Sequence, residues 1–502
     1  MTDASEANPA RSARPSATSA LVLRNAAWLV LAQLAATPLS VAVQAVMARH
    51  LGPADFGFIY LAGTLCGLGF LVVDFGQSTA LPGLVARDRT RTGELLGTSL
   101  AWRAALSVAI YLALSLLCRA LGLGATLEVA LGLVALASGL GALARGIQDA
   151  VRGLERTDLA AWGLWGQQLL TALLVIPTLL LGGRLVGTLL AQAAAAGLSL
   201  LAVVGVLRWL DLGRLACKRS GLEELLRAGG PFLLLGLALA VQPNVDALLL
   251  ARLTPPAVVG WHAAALRLFG ALMLPASSLV TALYPTLCRL HAHDPAAYRL
   301  TARAGLRTAA VLAVPLAVGC GLYPDLGVWI FNRGVFGPSE GNLRLLAPCL
   351  LLMYYSMACG CCLSAAGRQR AWSLVQLGAV AVGATADWLL IPRFQAGYAN
   401  GGLGVCVSLT LCEVLLLASA VAILPAGVLD RSVGRTLVFT WLGGGAMVAA
   451  AGALRGANHV VGAAAAGAAY LVLMVLTRTL DRSLLRAVRS EFLRRPGAPT
   501  RS

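Results

Sequence analysis

Long apolar runs separated by short polar interruptions repeat along the whole chain. Fourteen runs are long enough to be membrane spans, at residues 26–48, 57–81, 95–118, 125–144, 159–181, 185–207, 229–251, 258–284, 308–331, 345–366, 371–392, 402–424, 436–454 and 460–477. A helix needs about 20 apolar residues to cross the hydrocarbon core. Within lipid every backbone group must be hydrogen-bonded inside its own element, which favours helices here. The pattern therefore predicts an all-α polytopic membrane protein of about 14 transmembrane helices. No loop exceeds about 25 residues, which leaves no room for an inserted soluble domain.

The first run follows Arg24 and is too long for the apolar part of a cleaved signal peptide. Residues 1–23, rich in Ala, Ser and Pro, read as a disordered tail. In the loop after the sixth run, Ser220 and Glu223 are spaced as a capping box and predict a short surface helix. At the other end, Leu480, Leu484, Val488 and Phe492 recur at helical spacing among Arg482, Arg486 and Arg489. That pattern suits a helix lying on an anionic leaflet or an ordinary solvated tail.

Charge orients the spans. Lys and Arg collect on the cytoplasmic side of a membrane protein. With the N-terminus inside, 29 of the 39 basic residues fall in cytoplasmic segments, 8 outside and 2 within spans. One missed span would invert every later loop and spoil this asymmetry. Both termini are therefore expected in the cytoplasm.

A repeat divides the chain. Residues 48–62 (ARHLGPADFGFIYLA) match 251–265 (ARLTPPAVVGWHAAA) at a constant offset of 203. Arg49/Arg252, Pro53/Pro256 and Gly57/Gly260 coincide, together with three Ala pairs. Both segments join an outward-running span to the next one. The repeat is thus parallel, an arrangement that transporters use. It predicts a lobe over 24–208 (spans 1–6), a linker over 209–228 and a lobe over 229–424 (spans 7–12). Spans 13–14 over 425–479 and a basic tail over 480–502 complete the chain. A binding cavity is expected between the two lobes.

Composition sharpens this. The 502 residues are 58% hydrophobic and 12% charged, about half the charge of a soluble domain. The net charge of +17 would suggest nucleic acid on a soluble protein, but here topology accounts for it and no nucleic-acid partner is expected. The eleven cysteines are scattered, and Cys359, Cys361 and Cys362 lie within one span without a nearby His. They read as inert thiols, with no disulfide framework. His291 and His293 form a poor metal signature, and no metal or cofactor is expected.

Several segments resemble the polysaccharide and O-antigen flippases of the multidrug/oligosaccharidyl-lipid/polysaccharide exporter superfamily. They are ARHLGPADFGFIYLAGT from Ala48, VDFGQSTA from Val73, VRGLER at 151–156, NVDALLLARL at 244–253, ALYP at 282–285 and LLIPRF at 389–394. The turn Leu51–Gly57 is the most specific of them. The second-lobe turn, TPPAVVG, lacks the corresponding Gly and Phe, and Asp387 stands where many relatives carry Asn. The resemblance implies two six-helix lobes and alternating access. It implies a glycan on undecaprenyl diphosphate, moved from the cytoplasmic to the outer leaflet of a bacterial inner membrane. Partners would be that lipid-linked glycan, membrane lipids, a polysaccharide polymerase and glycosyltransferases. The alternative is a cation-coupled multidrug exporter of the same superfamily. An enzyme, such as a membrane polymerase or glycosyltransferase, would need a catalytic loop or carboxylate–metal motif that the chain lacks.

Ionisable groups inside spans are the candidate site residues, because burying them in lipid is costly. Arg103 and Arg267 could hold a diphosphate through bidentate donors, or snorkel or pair structurally. Arg49 and Arg252, related by the repeat, could form an outer gate or cap their helices. The carboxylates Asp74, Asp246, Asp387 and Glu413 could pair with arginines, bind sugar hydroxyls or carry a coupling ion.

Overall fold

The computed structural model describes residues 17–122, 124–209, 215–454, 456, 458–477 and 479. Side chains are described from Ala36 onward, except at 209, 234, 235, 238 and 239. The predicted helix on the C-terminal tail lies outside the described residues, as do residues 1–16.

All regular structure among the described residues is helical. The first half comprises α1 (Ala17–Asp74), α2 (Gln77–Arg87), a 3₁₀ turn (Arg89–Arg91), α3 (Thr92–Ala120), α4 (Ala125–Gly153), α5 (Thr157–Leu180) and α6 (Leu185–Trp209). Next come α7 (Arg219–Leu253), α8 (Pro256–Leu272), α9 (Leu274–His293), α10 (Pro295–Leu322), α11 (Pro324–Trp329) and α12 (Arg333–Phe336). The last five are α13 (Pro338–Ala365), α14 (Gln369–Tyr398), α15 (Gly402–Ile423), α16 (Arg431–Ala453) and α17 (His459–Leu476).

Among the described residues eleven helices, or twelve if the bent pair α8–α9 is one span, are long and apolar enough to cross a membrane. The sequence suggested about fourteen. Two differences account for much of the gap. First, the first two expected spans are counted as one stretch, Ala36–Arg87, although the helix breaks between them at Gly52, whose φ of 77° and ψ of 174° are non-helical and favour glycine. Second, α7, which covers the seventh expected span, is not among the eleven. Three other readings shift. α1 begins at Ala17, inside the segment expected as a tail. Ser220 and Glu223 lie within α7, where Glu223 pairs with Arg219, so no separate capped surface helix precedes the span. His291 and His293 close α9 instead of sitting in a loop, and the His291 ring meets Tyr298 edge-on.

The turns are set by short side chains that satisfy helix N-termini. Asp294 accepts from the backbone of Ala296 and Ala297, with Pro295 opening α10. Asp430 likewise caps α16 and also accepts from the Ser432 hydroxyl. Those bonds, the hydroxyl first, hold the half-buried Asp430 carboxyl below its ordinary pKa.

The chain divides into two compact units. Unit 1 comprises Met1–Met47 and Leu65–Leu237, and unit 2 comprises Ala48–Thr64 and Ala238–Ser502. In unit 1, α4 packs on α6, α3 and α2. Leu81, Leu95, Leu96, Ile147 and Val151 form its buried centre. In unit 2, α13 packs against α15, α10, α8 and α9. Tyr298, Cys362, Leu363 and Val433 are buried there. Large apolar side chains also stay on the surface, among them Leu181 at 88%, Leu374 at 72% and Leu476 at 73% exposed. Soluble monomers avoid extended apolar surface. With the long apolar helices, these side chains mark a multi-pass membrane protein.

Candidate functional site

In unit 1 the charged groups meet where α1, α3 and α4 converge. Arg103 is fully buried on α3. Its Nη1 donates to the Ala142 carbonyl at 2.8 Å. Its Nη2 lies 2.9 Å from both Asp74 Oδ1 and Asp149 Oδ2. Asp149, 2% exposed, also pairs with Arg152. The other oxygen of Asp74 accepts the Ser78 backbone N–H and hydroxyl. Two guanidinium groups therefore pair directly with two carboxylates, and Arg145 is a third cation near enough to act on both. The expected Arg103 and Asp74 are thus brought together, and each spends its charge inside the protein.

Asp149 and Arg145 lie beyond the apolar run 125–144, which by itself places both in a loop, whereas α4 continues to Gly153. Arg145 is exposed and, among the described residues, forms no hydrogen bond or ion pair. It folds back over Gly141: a methyl built on that glycine would stand 3.2 Å from Arg145 Nη1 and 3.6 Å from the Gln167 amide. The spacing of Asp149 and Arg152, three residues apart on one helix face, was the available signal.

In unit 2 the balance is different. Asp246 on α7 and Asp387 on α14 are 6% and 0% exposed. The two carboxyl groups are electrostatic neighbours, and the Ser408 side chain lies beside Asp387. Among the described residues neither oxygen of Asp387, nor Oδ1 of Asp246, has a hydrogen-bond partner. Two like charges buried together repel, and a proton or a cation between them would relieve this. Asp246 and Glu413 line one cavity of about 280 Å³ with Tyr60, Gln242, His262 and Met353. Glu413 accepts from Ser356 at 2.6 Å. Arg267 on α8 is exposed, has no hydrogen bond or ion pair among the described residues, and has Tyr60 as its electrostatic neighbour.

Arg49 donates to the carbonyls of Ile330 and Trp329, at 2.6 and 3.0 Å, and stacks over the Trp329 ring. Arg252 is exposed in the last turn of α7. Among the described residues no group of three His, Cys, Asp or Glu could hold a metal ion.

The family described as polysaccharide biosynthesis protein matches residues 22–291, more than half of the chain. The chain belongs to that family. Among solved structures, the lipid II flippase MurJ in an inward closed conformation is similar at a TM-score of 0.70 and 12% identity, over 90% of this chain and 99% of that one. An inward-facing multidrug resistance MATE family transporter of the MOP superfamily gives 0.60 and 16%, over 77% and 94%. A MOP superfamily transporter from Pyrococcus furiosus gives 0.54 and 15%, over 85% and 96%. At these identities the likeness is one of fold. No curated protein matches the chain.

Proposed function

We propose that this chain is an alternating-access flippase in a bacterial inner membrane, both termini cytoplasmic, that carries a lipid-linked oligosaccharide or polysaccharide precursor to the outer leaflet. Family membership supports polysaccharide biosynthesis. The observation that carries the substrate class is the state of the span arginines. Arg267 and Arg145 are exposed and form no hydrogen bond or ion pair among the described residues, although Asp74 and Asp149 are electrostatic neighbours of Arg145; Arg103 is neutralised. A cation in a span without a direct partner needs water or an anionic guest. A lipid diphosphate supplies oxygens for bidentate guanidinium binding. Arg267 in unit 2 and Arg145 in unit 1 are each assigned a diphosphate contact of their own, and Arg103 is assigned to holding α1, α3 and α4 together. Arg49 and Arg252 are assigned to the outer end of the pathway. Glycosyltransferases would build the substrate and a polymerase would consume it; the chain itself carries, without cofactor, and catalyses no bond change.

The Asp246–Asp387 pair favours coupling to a proton or small cation, with Glu413 beside it. The same pair is the one specific observation for the second reading, a cation-coupled multidrug exporter. The two readings separate in cells that depend on this protein for surface glycan. Arg267→Ala should reduce glycan export roughly tenfold to a hundredfold with the protein still in the membrane. Export at the wild-type level in Arg267→Ala and in Arg145→Ala, together with cation-dependent drug efflux, would reject the glycan reading.

A further inference from the structure

The repeat that links Pro53 with Pro256 and Gly57 with Gly260 has a physical counterpart inside unit 2. The two turns touch each other reciprocally. A methyl built on Gly57 would fall on the Pro256 carbonyl oxygen and lie 2.9 Å from the Gly260 nitrogen. A methyl on Gly260 would collide with the Pro53 carbonyl oxygen and lie 2.7 Å from its carbon. Each turn thus offers its proline carbonyl to the other turn's glycine, as in a contact across a two-fold axis. No side chain on either glycine could be accommodated without backbone movement.

Unit 1 holds a second contact of this kind. A methyl on Gly229 of α7 would press on the Phe75 carbonyl, with its carbon 3.3 Å away and that of Gly76 3.4 Å away. A methyl on Gly76 would in turn strike the Gly229 carbonyl, whose carbon lies 3.0 Å off, and Phe232 Cβ at 2.8 Å. Gly76 itself has φ 72°. The positive-inside pattern puts Gly57 and Gly260 at the outer face and Gly76 and Gly229 at the cytoplasmic face.

We infer that these are two backbone clasps, one at each face, and that transport opens them one at a time. Both are closed in this structure. Each joins a segment of the first half (51–57 or 75–76) to a segment of the second (254–260 or 229–232). Neither uses a charge, so they close without competing for the anion or cation that the site binds. The inference rests on the alternating-access part of the proposed function and not on the identity of the substrate.

Hydrogen exchange on the full-length protein in nanodiscs tests it. Gly57→Ala should speed exchange roughly tenfold in residues 254–260 and leave 225–232 unchanged. Gly229→Ala should do the same to residues 74–79 and leave 254–260 unchanged. Gly63→Ala and Gly67→Ala, where a methyl meets nothing within 4 Å, are matched controls on α1. Helix propensity alone would slow exchange in all four variants, since Ala is the better helix former. Faster exchange confined to the mutated segment, or behaviour equal to the controls, would overturn the clasps. If Gly57→Ala fails to insert, Gly260→Ala probes the same contact by reading residues 51–57. A wrong glycan assignment would leave these rates untouched and would show only in transport.

Discussion

Units 1 and 2 each bury charged groups within apolar helices, yet they treat them in opposite ways. In unit 1, Arg103 and Arg152 answer Asp74 and Asp149, and every one of these groups has a partner of opposite sign. In unit 2, Asp246 and Asp387 are electrostatic neighbours whose buried oxygens lack a hydrogen-bond partner among the described residues. Burying charge is tolerable when it is paired and hydrogen-bonded, and costly otherwise. A matched cluster is therefore what a scaffold requires, whereas a mismatched one persists when a bound species completes it. The same distinction separates Arg103 from Arg267, although both look alike in sequence as arginines within spans.

The largest effect should come from breaking the matched cluster. Arg103→Ala leaves Asp149 buried without its main partner and should cost about 3–5 kcal/mol of stability. Thermal unfolding in detergent would show the loss, together with poor recovery of folded protein. Arg267→Ala should leave unfolding unchanged and reduce transport of a lipid diphosphate roughly tenfold to a hundredfold. Arg267→Lys should recover only part of it, because an ammonium lacks the planar fork. Should Arg267→Ala destabilise the protein as much as Arg103→Ala, the contrast between the units would fail.

Smaller effects sharpen the comparison. Asp387→Asn removes one of two like charges and lets an amide donate to Asp246. Stability should stay within about 1 kcal/mol of the parent while the cation dependence of transport flattens. A strong loss of stability would instead mark the pair as structural. Gly141→Ala pushes a methyl toward Arg145 and should slow transport about threefold, near 0.7 kcal/mol. The smallest effect is at Asp430. Its folded pKa is lowered, so its contribution to stability is present above the ordinary carboxylate value of about 3.9 and is lost as pH falls through the lowered one. Asp430→Asn should remove only that acid-side dependence of the melting temperature.

How much of this was legible in the sequence follows from what each signal reports. Apolar periodicity shows where helices lie, so the segments, the helical class and the membrane setting were readable. The turn expected at Leu51–Gly57 is there too: Gly52 is non-helical and breaks α1 between the first two expected spans. Span ends were the weak point. Stopping the fourth span at 144 hid Arg145 and Asp149, which the extra turns of α4 bring beside Arg103. Carboxylates and arginines inside spans could be found by inspection, but their pairing is a tertiary fact. Asp246 and Asp387 are 141 positions apart, and nothing local indicates that they meet. The repeat-related Pro and Gly residues were visible at their fixed offset, while their mutual contact required the folded backbone.

The most direct test of the central claim is a flipping assay on purified protein in liposomes. The probe is a lipid diphosphate oligosaccharide placed on one leaflet, read by an added glycosidase that reaches only the other. Wild-type protein should expose the glycan to the enzyme, Arg267→Ala should not, and a lipid carrying the same glycan without phosphate should stay behind with both. Equal movement of the phosphate-free lipid, or full activity in Arg267→Ala, would contradict the account.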